Sequence, residues 1–221
     1  MMPQQRLNLE ELGPLNQTGV VELSGISASG SELAAFLRAQ TESPTSEGWP
    51  GFRGQTVNKV LFPLLCRQTQ DHCSFCDGHP MTDAMTNETI EHFQPKSGPH
   101  ARPELRLSWE NLYACCSGCQ TAKREKWDDA LLRPDAPDYS FRRYFSCEFT
   151  TGRIVPRRRA PAEDRRKAQV TIDLYDLNRY AGQRLEMFTN HPYYGASVPL
   201  EKKPFRYWAQ AVNRAKGKDQ V

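Results

Sequence analysis

Two C-x2-C pairs carry the clearest chemistry in this sequence: Cys73-Ser-Phe-Cys76 and Cys116-Ser-Gly-Cys119, with 39 residues between them. Each pair can present two thiolates to one ion. Four thiolates around one tetrahedral zinc make a closed, structural site with no open position for catalysis. The gap is wider than in a simple zinc ribbon, so another element is inserted between the pairs. The alternative is buried free thiols or a redox pair. Cys66, Cys115 and Cys147 are left over. Each is expected as a small buried hydrophobe, although Cys115 can take the place of Cys116 as a ligand.

The insert holds Thr89-Ile90-Glu91-His92-Phe93-Gln94-Pro95-Lys96. His92 is a residue able to take a proton near neutral pH. Glu91 precedes it, but a strand sends neighbouring side chains to opposite faces. The two act together only if the strand ends or bulges there. Trp109-Glu110-Asn111-Leu112 follows, and after the second cysteine pair Gln120-Thr121-Ala122-Lys123 opens a helix. Each residue also has a plain structural role available: His92 as a packed ring, Asn111 as a turn cap, Lys123 as a solvated helix charge rather than a phosphate contact, Trp109 as core. His72 and His79 flank the first pair, where they either orient thiolates or lie at the surface. Neither these nor His100 and His191 are expected to be catalytic.

These residues need elements to position them. The chain has 221 residues, 38% hydrophobic and 25% charged, with 16 Pro and 14 Gly. That composition suits one domain of ordinary size with a modest core and much loop. Ser29 to Glu32 fits a capping box before a short helix through Leu37. Thr41 to Gly51 reads as a linker. Val57, Val60, Leu61, Leu64 and Leu65 have helical spacing, with Pro63 expected to kink or shorten that helix. Further helices are expected over 161–175 and 205–215. No apolar run is long enough to span a membrane. The first 15 residues do not resemble a secretory signal, so the expected compartment is the cytoplasm.

Charge divides unevenly under a net +3. Residues 1–50 carry two basic and six acidic residues, −4, and residues 51–221 carry 27 basic and 20 acidic, +7. Nine Arg and Lys fall within 151–184, including Arg157-Arg158-Arg159. A basic body suits a polyanionic partner, or is a solvated surface. The expected division is an acidic docking arm (1–50), a zinc-stabilised core (51–135), a basic helical extension (136–190) and a tail (191–221).

The order C-x2-C, Glu-His, Asn-Leu, C-x2-C, polar residue, Lys resembles the HNH (His-Me finger, ββα-metal) nuclease motif, whose catalytic stretch is nested between the cysteine pairs. The stretch from Ile90 to Lys96 and Asn111-Leu112 are similar to a narrower group, the HNH nuclease subunit of the Septu anti-phage system, also found as an effector of some retrons. That likeness continues in Leu131-Leu132-Arg133-Pro134, Gly152-Arg153-Ile154, Thr171-Ile172-Asp173-Leu174 and Leu177-Asn178, spanning about residues 57–185. It implies an α+β fold, a ββα-metal finger around a structural four-cysteine zinc site flanked by helical segments. It implies His92 as general base, Glu91 and Gln120 as ligands of one Mg²⁺ or Mn²⁺, and Asn111 holding the histidine and its loop. Lys123 is a candidate phosphate contact. DNA is the implied substrate and an ABC-type ATPase subunit the implied partner. In a retron context a reverse transcriptase and its RNA–DNA product join them. The family's last motif residue is His or Asn. Gln120 is one carbon longer than Asn, which loosens or removes its hold on a cation. The rival expectation is a zinc-stabilised nucleic-acid or protein-binding module without catalysis.

Overall fold

The computed structural model describes residues 2, 4–11, 28–43, 48–81, 89–190 and 198–216. Its elements are mixed α and β. Helix α1 (Gly30–Glu42) begins with the expected capping box, Ser29 and Glu32 each bonding the other's backbone. A short hairpin, β1 (Gly51–Phe52) and β2 (Gln55–Thr56), leads into α2 (Val57–Thr69). Pro63 does not end α2, which runs 13 residues through it. Val60, Leu61, Leu64 and Leu65 are almost fully buried. Their packing holds the helix together where local propensity would break it.

The centre of the fold is an antiparallel pair followed by a helix. Strand β3 (Thr89–His92) pairs with β4 (Leu112–Cys115), Glu91 opposite Tyr113 and His92 opposite Leu112. Helix α3 (Ser117–Lys123) follows at once. Beyond it come α4 (Phe141–Tyr144), the hairpin β5 (Phe145–Glu148) and β6 (Arg153–Pro156), then α5 (Ala162–Leu174), α6 (Ala181–Thr189) and α7 (Arg206–Ala215). The helices expected over 161–175 and 205–215 thus appear as α5 and α7. The extension is not purely helical, since a hairpin precedes α5.

Segments that look unrelated in sequence are tied together here. Thr171 Oγ1 accepts from Leu132 N (3.1 Å). The Asn178 side chain bonds the main chain of Ile154 in both directions. The guanidinium of Arg184, fully buried, donates to the carbonyls of Gly152 (2.7 Å) and Leu177 (3.0 Å). Gly152 has φ +71°, and a Cβ there would lie 1.9 Å from Ala181 O, so only glycine fits this turn against α6.

The N-terminal region is not a free arm where it is described. Leu9, Leu33 and Leu37 belong to the core. Arg6 lies over the Tyr113 ring (4.4 Å), bonds the carbonyls of Trp109 and Leu112, and pairs with Asp135. Apolar burial holds the described part of this acidic segment against the rest of the fold. The C-terminal region is anchored likewise: Tyr207, Trp208 and Val212 are buried, and Arg206 pairs with Asp77 at 2.6 Å. Among the described residues no helix is long and apolar enough to cross a membrane.

Candidate active site and metal centre

The four cysteines converge. Cys73, Cys76, Cys116 and Cys119 are buried, and their Sγ atoms all lie within 4.8 Å of one another. The Cys76 and Cys116 sulfurs are 3.7 Å apart. A tetrahedron with metal–sulfur bonds of about 2.3 Å has edges of about 3.8 Å, so the cluster fits zinc. The Gly78 and Cys116 backbone N–H groups donate to Cys76 and Cys73 sulfurs, both at 3.4 Å. The centre joins the turn after α2 to the start of α3. Cys116, not Cys115, completes the set. Cys115 is buried on β4 and its thiol faces the Cys116 carbonyl. Cys66 is also buried and Cys147 is half-buried.

His92 sits at the end of β3, against a cleft of about 250 Å³ whose walls include Trp49, Asn58, Lys96 and Gln120. Its Nε2 is 3.0 Å from Arg106 O. A carbonyl can only accept, so Nε2 carries the hydrogen and the neutral ring leaves its lone pair on Nδ1. Burial, then the charge of Lys96, pushes the His92 pKa down to about 4, so the ring is neutral at pH 7. The Trp49 indole stacks on it with centroids 5.6 Å apart.

Asn111 holds the segment that follows His92. Its Oδ1 accepts from Gln94 N (2.8 Å), and its Nδ2 donates to Gln94 O and Leu105 O, both at 3.1 Å. Both ends of the 94–111 loop therefore close on one side chain. Gln120 donates Nε2–H to Ile90 O (3.1 Å), pinning α3 to β3, and its amide oxygen has no protein partner among the described residues.

Glu91 is placed differently from His92. Its carboxylate meets Lys123 Nζ at 2.7 Å in a pair with side-chain exposures of 5% and 0%. Lys123 also donates to His92 O at 2.9 Å. Burial pushes the Glu91 pKa up to about 7 against the pull of Lys123. Strand alternation thus prevails: Glu91 faces α3 while His92 faces Trp49, and Glu91 does not line the cleft. Lys123 is not a solvated helix charge. Hard divalent cations are held chiefly by carboxylates, and none lines the cleft among the described residues. The Glu91–Gln120 pair implied for Mg²⁺ or Mn²⁺ does not fit this arrangement.

The remaining histidines lie elsewhere. His72 is fully buried, its Nδ1 2.6 Å from Gln70 O and its Nε2 3.0 Å from Lys203 O, which corrects the surface placement expected for it. The carbonyls of the turn after α2 and of the C-terminal segment enclose it. His79 packs against it with the rings tilted and their centroids 4.4 Å apart, His100 is exposed, and His191 lies outside the described residues. Trp109 is core, and Arg157, Arg158 and Arg159 form an exposed turn. Sequence reasoning missed Trp49, Asn58 and Arg106. Trp49 lies in a stretch whose Pro, Ser and Thr signal a linker, and only its large aromatic ring hinted otherwise.

No protein-family model matches the chain. A search of curated proteins finds it 29% identical over 153 residues to "Retron Vc95 putative HNH endonuclease" of Vibrio cholerae serotype O1 biovar El Tor, covering 67% of this chain and 72% of the relative. The resemblance to HNH endonucleases, and to a retron-associated one, therefore rests on this relative as well as on the order of the motifs.

Proposed function

We propose that the chain is an HNH-type endonuclease that hydrolyses phosphodiester bonds of DNA. One observation carries the reading: a neutral histidine, its tautomer set by the Arg106 carbonyl, lines a cleft shared by β3, α2 and the helix that a four-cysteine centre anchors. The succession β3, β4, α3 supports the ββα finger that the resemblance implies. In the reaction His92 Nδ1 takes a proton from water as the water oxygen bonds to phosphorus. The bond from phosphorus to the leaving sugar oxygen breaks, and that oxygen is protonated by solvent. An entering phosphate is anionic and raises the His92 pKa, strengthening the base when substrate is bound. Asn111 is a positioning residue. Zinc at the four cysteines contributes folding free energy to a finger with little core of its own.

The retron relative supports a setting beside a reverse transcriptase and its RNA–DNA product. The Septu likeness supports an ABC-type ATPase that restrains the nuclease until infection, in the cytoplasm. Specificity then comes from the partner, because backbone contacts position a nucleic acid without reading its sequence.

A second reading has its own support. The Glu91–Lys123 pair and the inward turn of Gln120 favour a zinc-stabilised binding module without catalysis. The test is cleavage of plasmid, linear and single-stranded DNA, and of RNA, by zinc-loaded protein in Mg²⁺ or Mn²⁺ buffer, with His92→Ala alongside. Cutting that His92→Ala abolishes supports the nuclease. Binding without cutting, with the ATPase partner present as well, establishes the second reading instead.

A further inference from the structure

We propose that Lys96 and Asn58 form a phosphate-binding subsite in the cleft beside His92; this deepens the nuclease reading and rests on it. Neither residue has an assigned role in that reading. Lys96 makes no hydrogen bond or ion pair with any described residue, yet it lines the cleft. It is the only charged lining group among the described residues, since His92 is neutral at pH 7. The cleft is therefore positive and selects an anion.

Asn58 supplies the independent observation. It stands in the first turn of α2, and its terminal Oδ1 position is shielded from solvent without a hydrogen-bond partner. Asn58 also lines the cleft, and its Nδ2 bonds no described residue, so N–H donors remain for a phosphate oxygen. A cavity of about 250 Å³ is smaller than the roughly 300–1,000 Å³ of enclosed small-molecule sites. It suits one phosphodiester group with the rest of the polymer outside. Trp49 stacks on the His92 ring and lines the same cleft, so a bound anion lies beside that ring.

The test separates the subsite from the chemistry. In the non-cutting His92→Ala background, binding of a 20-base-pair DNA duplex is followed by fluorescence anisotropy across a salt series. Lys96→Met should weaken binding about tenfold, the loss of one charge-assisted contact, and reduce the log–log salt slope by about 0.9. Asn58→Asp, which adds a carboxylate, should weaken binding more than Asn58→Leu. In His92-containing protein, inorganic phosphate should shift the His92 ring resonances, and Lys96→Met should remove that shift. If phosphate moves the resonances while no nucleic acid is cut, the subsite stands and the nuclease reading fails. An unchanged salt slope together with silent His92 resonances overturns the subsite whatever the cleavage assay gives. Tighter Mn²⁺ binding by Asn58→Asp without weaker DNA binding would overturn it too, by marking a cation position.

Discussion

Replacing Lys123 with Met removes the ammonium that meets the buried Glu91 carboxylate at 2.7 Å. The two side chains are similar in length, so little packing is lost and the effect is electrostatic. Breaking a buried ion pair by removing one partner costs about 3–5 kcal/mol where the other group stays charged, buried and unpaired, so this is the loss expected at the alkaline end, about pH 8 and above. For a chain of this size each kcal/mol shifts Tm by about 2–4 °C, so the variant should melt about 6–20 °C lower. The loss should depend on pH. With Lys123 present the Glu91 carboxyl already titrates at about 7, and Lys123 is what holds it down. Without it the folded pKa rises further, well above the unfolded value of about 4.3. A carboxyl whose folded pKa is raised favours the folded state when protonated. The penalty is therefore small near the unfolded pKa and grows as pH rises toward the folded one. Denaturation of zinc-saturated protein at pH 6, 7 and 8, with the wild type measured beside the variant, cancels the pH dependence of the zinc site. The loss should be larger at pH 8 than at pH 6, and Glu91→Gln combined with Lys123→Met should restore part of it. An equal loss at both pH values, or one below about 1 kcal/mol, would refute a buried, charge-bearing pair.

Other expectations concern the remaining parts of the site. One zinc per chain should be found by metal analysis, and Cys119→Ser should release it with loss of the cooperative melt, since metal binding is folding free energy here. Asn111→Ala removes three hydrogen bonds around the 94–111 loop. At about 1 kcal/mol each it should cost about 2–4 kcal/mol in denaturant unfolding and lower the cleavage rate. Gly152→Ala drives a Cβ into Ala181 O at a positive φ. It should destabilise by more than about 2 kcal/mol, against a near-neutral Gly182→Ala control in open space. Cleavage should fall with decreasing pH, with a midpoint between about 4, the free-site value of His92, and its ordinary 6.5, because a base must be unprotonated to accept. A rate that instead rises as pH is lowered from 7 to 5 would remove His92 from that role.

What could be read in the sequence was whatever local chemistry fixes. The cysteine pairs converge because tetrahedral thiolate coordination tolerates any intervening length that folds. The capping box at Ser29, and the helices after Pro161 and Phe205, follow from residues within one turn of each other. Pro63 misled because eight residues of α2 are buried, and tertiary packing overrode a local breaker. Trp49 and Arg106 were illegible for a different reason. Each reaches His92 across a long sequence separation, Trp49 through its ring and Arg106 through a carbonyl that every residue type possesses. The partner of Glu91 was visible only as a choice between solvent and phosphate for Lys123. Neither includes a third outcome, a carboxylate on the neighbouring strand.

That third outcome bears on how the site works. Gln120 and Lys123 lie one helical turn apart on α3, and both bond β3, one to Ile90 O and the other to Glu91 and His92 O. The helix anchored by the four-cysteine centre therefore fixes the strand that ends in His92 by side chains as well as by packing. Three groups, the four-cysteine centre, the α3 side chains and Asn111, act on His92 from different directions. Such convergence suits a base that must hold its ring within a few tenths of an ångström of a reacting water. A bare zinc knuckle needs none of it. The same network leaves the cleft itself with amides, a neutral ring and one ammonium. The cleft lacks a carboxylate among the described residues, and the Glu91–Gln120 cation pairing does not form, for one reason: the placement of Lys123 against Glu91.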